Sequence, residues 1–355
     1  MNKAPALLRA ALVVAAAALT LGPGLGRASA ATPPGFFGVV PQGGLTAADF
    51  ARMDGVVGTL RVPFYWSRCE SERGSYDFTE LDAVVGAAAA HGIRILPFVY
   101  GTPPWLATDA ARPPLDSAAA RGAWSRYLRR LVERYGPGGE FWKGSAGVLP
   151  IRRWQIWNEP NFRLFWQPHP EPRRYARLLG LAADAIRGAD PGAKIVLGGV
   201  APVGAGYRPW VFLRQLYRVP GVKRDFDFVA LHPYSIRVAN TLGQVRLAHE
   251  AIEGAGDSAT PILVTELGVA SGGVIPSGFV LGEAGQAGYL RRALAALVAK
   301  RRPWRIAGVD WFTWRDASAP DVHCGFCQGA GLFDLAGRAK PAWHAYRAAV
   351  RASVR

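Results

Sequence analysis

Trp154-Gln155-Ile156-Trp157-Asn158-Glu159-Pro160-Asn161 is a short apolar run that stops at an Asn-Glu-Pro turn. The run predicts a strand. Pro160 lacks an amide hydrogen and biases Glu159 away from helical backbone, so the strand ends there with its carboxylate at an edge of the fold. A second run, Pro261-Ile262-Leu263-Val264-Thr265-Glu266-Leu267-Gly268, ends in the same way. A helix precedes the first run, over Ser117 to Tyr135, where Trp124, Tyr127, Leu128 and Leu131 recur three and four apart. The glycine-rich stretch from Gly136 to Pro150 joins the two as a loop, and a further helix follows from Pro172 to Ala189.

Working outward, the same alternation continues along the chain. Strands are expected over Gly35–Val40, Gly58–Trp66, Ile93–Tyr100, Ala193–Val200, Phe226–Tyr234 and Ile306–Trp314. Helices are expected over Leu45–Met53, Thr79–His91, Trp210–Val219, Leu242–Gly254, Ala284–Arg301 and Lys340–Val354. The strands are continuous apolar runs, as parallel strands buried on both faces require. Eight strand-then-helix units predict an α/β fold, a (β/α)8 barrel in one domain over residues 31–355. A doubly wound open sheet is the rival, but Pro41-Gln42-Gly43-Gly44 is a poor match to the glycine-rich phosphate turn expected after its first strand.

The chain has 355 residues, 50% hydrophobic and 19% charged, enough for one large core or two modest ones and unlike a disordered protein. Residues 1–30 read as a secretory signal peptide: Lys3 and Arg9 lead into an apolar run from Ala10 to Leu21, followed by Ala28-Ser29-Ala30. An uncleaved anchor is the alternative. The chain is therefore expected to be secreted, with no stable membrane insertion once the segment is removed. The segment holds Lys3, Arg9 and Arg27 and no acid, so the formal charge of +16 falls to +13 without it. Such a balance suits nucleic acid, an anionic polysaccharide or an acidic surface. The arginines are scattered, as in Arg121, Arg126, Arg129, Arg130 and Arg134, and no block of five like charges occurs, so a solvated face is the preferred reading and no nucleic-acid partner is expected.

Unusual residues for buried strands fall at the strand ends: Arg61 in the second strand, Trp105 after the third, Asn158 and Glu159 at the fourth, His232 and Tyr234 at the sixth, Glu266 at the seventh, Trp314 at the eighth. Polar groups are costly inside parallel strands, and packing alone does not explain their gathering at the end where barrels carry their chemistry. This set resembles the clan A glycoside hydrolases, retaining barrel enzymes with catalytic glutamates on strands four and seven. Asn158-Glu159-Pro160 is its most specific element. His232-Pro233-Tyr234, Thr265-Glu266-Leu267-Gly268 and the aromatic eighth strand add to it. Trp157-Asn158-Glu159-Pro160-Asn161 looks closest to family 39, with family 5 the near alternative.

The resemblance implies that Glu159 is the acid/base and Glu266 the nucleophile of a secreted glycosidase acting on a polysaccharide or oligosaccharide. The net charge hints at an acidic one. No metal or cofactor is expected, and a monomer is. Arg61 is expected to hold Glu266 as a carboxylate, and Tyr234 to donate to the same oxygen. Glu159, facing a negative neighbour, should keep its proton. Asn158 would bond the sugar 2-hydroxyl and His232 line the same subsite. Trp314 is a candidate floor for a stacked sugar ring and Trp105 a wall.

Blander readings stand beside these. Asn-Glu-Pro can be a mere strand terminus, Glu266 an ion-pair partner of Arg61, His232 and Tyr234 structural, and most of the tryptophans core. A non-catalytic barrel binding an anionic cell-envelope polysaccharide is the alternative function. Asn158 and Glu159 are adjacent, so a regular strand would turn them to opposite faces; both reach one pocket only if the chain bends there. Of the cysteines, Cys324 and Cys327 could close on each other, or with His323 hold a metal, although no further ligand pair is apparent. Placement of the loops in a barrel suggests instead that Cys69 bridges to Cys324 or Cys327 across the rim.

Overall fold

A computed structural model describes Met1 and residues 31–145, 147–202, 206–273, 278–318 and 324–353. The export segment read from residues 1–30 lies outside the described residues apart from Met1, as does His323 of the suggested metal set. Eight parallel strands alternate with helices: β1 (Phe37–Val40), α1 (Ala47–Met53), β2 (Thr59–Tyr65), α2 (Trp66–Cys69), α3 (Thr79–Ala90), β3 (Arg94–Tyr100), α4 (Ala118–Tyr135), β4 (Arg153–Ile156), α5 (Pro172–Ala189), β5 (Lys194–Leu197), α6 (Pro209–Tyr217), β6 (Val229–Leu231), α7 (Val238–Gly254), β7 (Ile262–Leu267), α8 (Gly282–Lys300), β8 (Ile306–Phe312) and α9 (Pro341–Ser353).

The sheet runs in the order β5-β4-β3-β2-β1-β8-β7-β6, so the last strand pairs with the first. The seam between β5 and β6 is bridged at Val196–Phe228 and Val200–Leu231, where the Leu197 amide donates to the Phe228 carbonyl at 2.9 Å. The molecule is thus a single-domain (β/α)8 barrel, and the open-sheet rival is set aside. Among the described residues no helix is long and apolar enough to cross a membrane.

Local chemistry sets the elements. Thr46 caps α1 in a capping box with Asp49, satisfying amides the first turn would leave open. Ser117 caps α4, whose Trp124, Tyr127, Leu128 and Leu131 are all buried, while Arg126, Arg129 and Arg130 face solvent. All six residues of β7 are buried, as a strand lined by helices outside and the barrel lumen inside must be. Leu96, Val196, Ala230 and Leu263 form an apolar cluster of their own, apart from the core under the helices, drawn from β3, β5, β6 and β7. It plugs the lumen, so polar groups gather nearer the mouth.

The regular ladders are shorter than the apolar runs suggest. β6 spans three residues, and β4 ends at Ile156 rather than Glu159. Beyond the ladder the chain still bonds across the barrel; the His232 amide donates to the Val200 carbonyl at 3.0 Å. At the opposite end, the Thr32 amide donates to the Ser353 carbonyl at 2.8 Å, and the Tyr346 hydroxyl to the Gly38 carbonyl at 3.1 Å.

The expected rim-spanning disulfide is not formed. Cys324 is bonded to Cys327, and Cys69 is a free, buried thiol. Cys69 closes α2, whose Trp66 is fully buried and stacks on Tyr127, so the thiol is drawn beneath the rim rather than along it.

Candidate active site

The turn after β4 departs from strand geometry in the way two adjacent pocket residues need. Trp157 has φ +71° and Glu159 φ +39°, left-handed backbone that non-glycine residues adopt only where the surroundings impose it. Gly198 supplies part of that constraint: a Cβ there would lie 2.8 Å from the Pro160 ring and 3.0 Å from the Ile156 carbonyl oxygen. The Tyr175 hydroxyl donates to that carbonyl at 2.9 Å and accepts from the Gly198 amide at 2.6 Å. Asn161 then clamps the loop, donating to the Ala201 and Tyr207 carbonyls and accepting from the Ala201 amide. Asn158 and Glu159 leave this turn buried, at 6% exposure each.

Arg61, wholly buried on β2, is the hub. Nη1 donates to Glu266 Oε1 at 2.6 Å, Nη2 to Asn158 Oδ1 at 2.8 Å, and Nε to Gln155 Oε1 at 2.6 Å. Its plane lies over the Phe98 ring, 4.1 Å from the centroid. Gln155 is oriented in turn by donation to the Leu197 carbonyl at 3.0 Å and to Thr265 Oγ1 at 3.4 Å. With Oδ1 taken, Asn158 presents its Nδ2 as a donor. The Tyr234 hydroxyl donates to Glu266 Oε2 at 2.6 Å, so Arg61 and Tyr234 hold different oxygens of Glu266 rather than the same one.

His232 lies between the glutamates, its Nδ1 2.7 Å from Glu159 Oε1 and 3.6 Å from Glu266 Oε2. Its Nε2 has no hydrogen-bond partner and faces Gly199, where a Cβ would lie 1.9 Å away. Burial, and secondarily the Arg61 charge, push the His232 pKa well below its ordinary value, so the ring is neutral. Burial, and then the Glu266 charge, push the Glu159 carboxyl well above the usual range against the opposing pull of Arg61. Burial and Glu266 likewise raise the Tyr234 hydroxyl, which stays a donor.

Glu159, His232 and Glu266 offer one ligand atom each within 4.8 Å of one another, which by count alone could receive a cation. The surroundings argue otherwise, since both Glu266 oxygens already take donors and one of these is a guanidinium. A metal there would sit beside a fixed positive charge.

The two tryptophans are placed elsewhere. Trp314 is 1% exposed, its indole N–H donates to Asp49 Oδ1 at 3.0 Å, and its ring packs on Phe333 and Trp343. The ladder of β8 has ended at Phe312, and the chain follows the end of β1 (Trp314 amide to Val40 carbonyl, 3.3 Å), which turns Trp314 toward α1 and α9. It is no floor for a sugar. Trp105 is half-buried, its N–H on the Glu70 carbonyl at 2.8 Å and its ring against Trp66.

Other aromatic residues, which the sequence reading passed over, lie nearer the glutamates. Tyr65 and Tyr100 are cross-strand partners at the ends of β2 and β3, with rings 6.2 Å apart. Burial raises both phenols, with smaller contributions at Tyr65 from Arg68, Arg61 and Glu266. Phe312, at the end of β8, lies 6.1 Å edge-on to Tyr234. Parity was the available signal: Tyr65 stands four residues beyond Arg61, on the same face of one strand.

No protein-family model matches the chain. Solved structures do. A family 39 glycoside hydrolase from the gut symbiont Bacteroides cellulosilyticus WH2 shares 21% identity over 90% of this chain, with a TM-score of 0.66; the chain spans 64% of that protein's length. A family 39 β-xylosidase from Caulobacter crescentus shares 23% over 90% of this chain and 72% of its own, with a TM-score of 0.60. A family 5, subfamily 18 enzyme from Streptomyces cattleya, in complex with Manβ1-4GlcNAc, shares 18% over 86% of this chain and 74% of its own, with a TM-score of 0.63. The likeness is one of fold, and it includes both families that the sequence motifs resemble.

Proposed function

We propose that the chain is a retaining glycoside hydrolase in which Glu159 is the acid/base and Glu266 the nucleophile. The observation that carries this is the convergence of two carboxyls from the turn after β4 and from β7, with oxygens within 4.8 Å of each other, one bonded to a guanidinium and the other held above the usual carboxyl range by burial. A separation of about 5–5.5 Å suits double displacement, whereas inversion needs about 6.5–9.5 Å to admit a water.

Glu266 attacks the anomeric carbon while Glu159 gives its proton to the departing oxygen. An ester forms and the glycosidic bond breaks. Esterification removes the negative charge of Glu266, one of the causes that hold Glu159 protonated. Glu159 can then ionise and take a proton from the water that attacks the ester, restoring both groups. The imidazole proton is assigned to Nδ1, because Nε2 faces Gly199 with no acceptor. Nδ1–H then donates to Glu159 Oε1, leaving Oε2 to carry the acid proton toward substrate. Asn158 Nδ2 is free to meet the sugar 2-hydroxyl.

Export is part of the proposal, supported by the basic start, apolar middle and Ala28-Ser29-Ala30 end of the first thirty residues. A barrel that only binds glycans has no need of a protonated acid beside a charged one.

Hydrolysis of a panel of 4-nitrophenyl glycosides, with the product anomer followed by proton NMR, tests the reading. First-formed product with the substrate's own anomeric configuration supports it, and the opposite configuration refutes it. Glu266→Ala should abolish turnover, and azide should restore some on an activated aryl glycoside, with the glycosyl azide inverted.

A further inference from the structure

The connection between β8 and α9 carries an aromatic ring, Phe326, to the edge of this site. Phe326 lies between Cys324 and Cys327, which are joined by the disulfide. Its ring is 5.3 Å from that of Tyr234, the donor to Glu266, and 5.8 Å from Phe312. Tyr234, Phe312, Val40, Cys327 and Ala330 form a small apolar cluster of their own, with Phe326 and Cys324 packed on it half-buried. Cys327 is 4% exposed, and its amide donates to the Cys324 carbonyl at 3.1 Å. The turn is therefore closed twice, by a covalent bond and a hydrogen bond, with one half anchored in the cluster. Phe326 has little freedom to leave its place beside Tyr234.

Phe312 ends β8, and Tyr65 and Tyr100 end β2 and β3, whereas Phe326 is held by a staple. We infer that Phe326 is a specificity-determining residue of the proposed reaction, a wall that the disulfide holds ready for the apolar face of a neutral sugar ring next to Glu266. The inference rests on the glycosidase reading and extends it to the substrate. A flat carbon surface suits the C–H face of a pyranose. Among the described residues no guanidinium or ammonium lies over the Tyr234, Phe312 or Phe326 rings, whose neighbours here include the Phe279 ring and each other, so a uronate carboxylate turned to this side would give up hydration to an apolar wall.

The test uses the full chain and the 4-nitrophenyl glycoside that wild type handles best. Kinetics are measured on Phe326→Ala, Phe326→Leu and the double variant Cys324→Ser/Cys327→Ser. Binding is measured by calorimetry on the same changes in a Glu266→Gln background. Phe326→Ala should raise KM and Kd about three- to tenfold, the range of a lost aromatic contact, with kcat within about twofold. Phe326→Leu keeps apolar volume without a flat face and should lie between. The double variant, or wild type treated with a phosphine reductant, should follow Phe326→Ala. The neutral glycoside should be preferred over its uronide counterpart. The inference is overturned if KM and Kd do not move, if the loss falls on kcat alone (which would make Phe326 a mere support for Tyr234), or if the uronide is preferred. Binding without turnover by wild type would sink the glycosidase reading and leave the wall standing; turnover with unmoved Kd would do the reverse.

Discussion

Arg61→Lys keeps the charge at the hub and removes its geometry. The guanidinium serves three acceptors at once, Glu266, Asn158 and Gln155, at 2.6, 2.8 and 2.6 Å. An ammonium on a shorter stem can reach one of them well. If it keeps Glu266, the bonds to Asn158 and Gln155 are lost, and both side chains are buried. A hydrogen bond to a charged partner contributes about 1.5–3 kcal/mol, so two amount to about 3–6 kcal/mol. At about 1.4 kcal/mol per factor of ten, kcat/KM should fall by about 10² to 10⁴. The share of the loss that appears in kcat reports how far Asn158 and Glu266 act only in the transition state. The assay is initial-rate kinetics on an activated aryl glycoside, with a urea unfolding curve on the same preparation. A fall of less than about tenfold, or a full loss of stability with kcat/KM per folded molecule unchanged, would refute the claim that the fork positions the reacting groups.

Glu159→Gln should slow poor leaving groups far more than good ones, measured over a leaving-group series. Because Glu159 is held above the ordinary carboxyl range, the stability its proton affinity contributes is present at low pH and fades as pH climbs from that range toward the raised value, so the urea midpoint of Glu159→Gln relative to wild type should rise with pH over that window. Gly199→Ala puts a methyl 1.9 Å from His232 Nε2; overpacking of this kind costs about 1–3 kcal/mol, and both Tm and kcat/KM should fall. Cys69 is buried, which pushes its thiol up to about 11, so a thiol reagent at mild pH should find no reactive group in the native protein and one after unfolding, with a Cys324–Cys327 peptide in the map.

Much of this arrangement is written in the strands. Continuous apolar runs give parallel strands, and glutamates at two of their ends give the site, because a charge has few other places to go in such a run. The adjacency of Asn158 and Glu159 even announces a break in the strand, which the left-handed backbone at Trp157 and Glu159 supplies. What stays hidden is which face a residue takes. Gln155 looks like one polar slip in an apolar run, and only its position in the lumen under Arg61 makes it part of the hub. Trp311 and Phe312 are neighbours on opposite faces of β8, and the larger ring, Trp311, points outward to Tyr289. The search for the broadest flat surface therefore lands on Trp314, whose orientation is set by a hydrogen bond to a helix 265 residues earlier. Loops sharing a face leave the cysteine pairing to side-chain direction, and α2 turns Cys69 inward.

The bond from Thr32 to Ser353 also has a practical side. Strands run toward the Glu159–Glu266 end and helices return, so these two residues meet at the far pole of the barrel, away from that site. A piece cut to residues 32–353 could be joined there by a short linker and opened at another loop, leaving the Arg61 hub untouched. A bead or carrier protein coupled there would leave the barrel's mouth, with Glu159 and Glu266, facing outward.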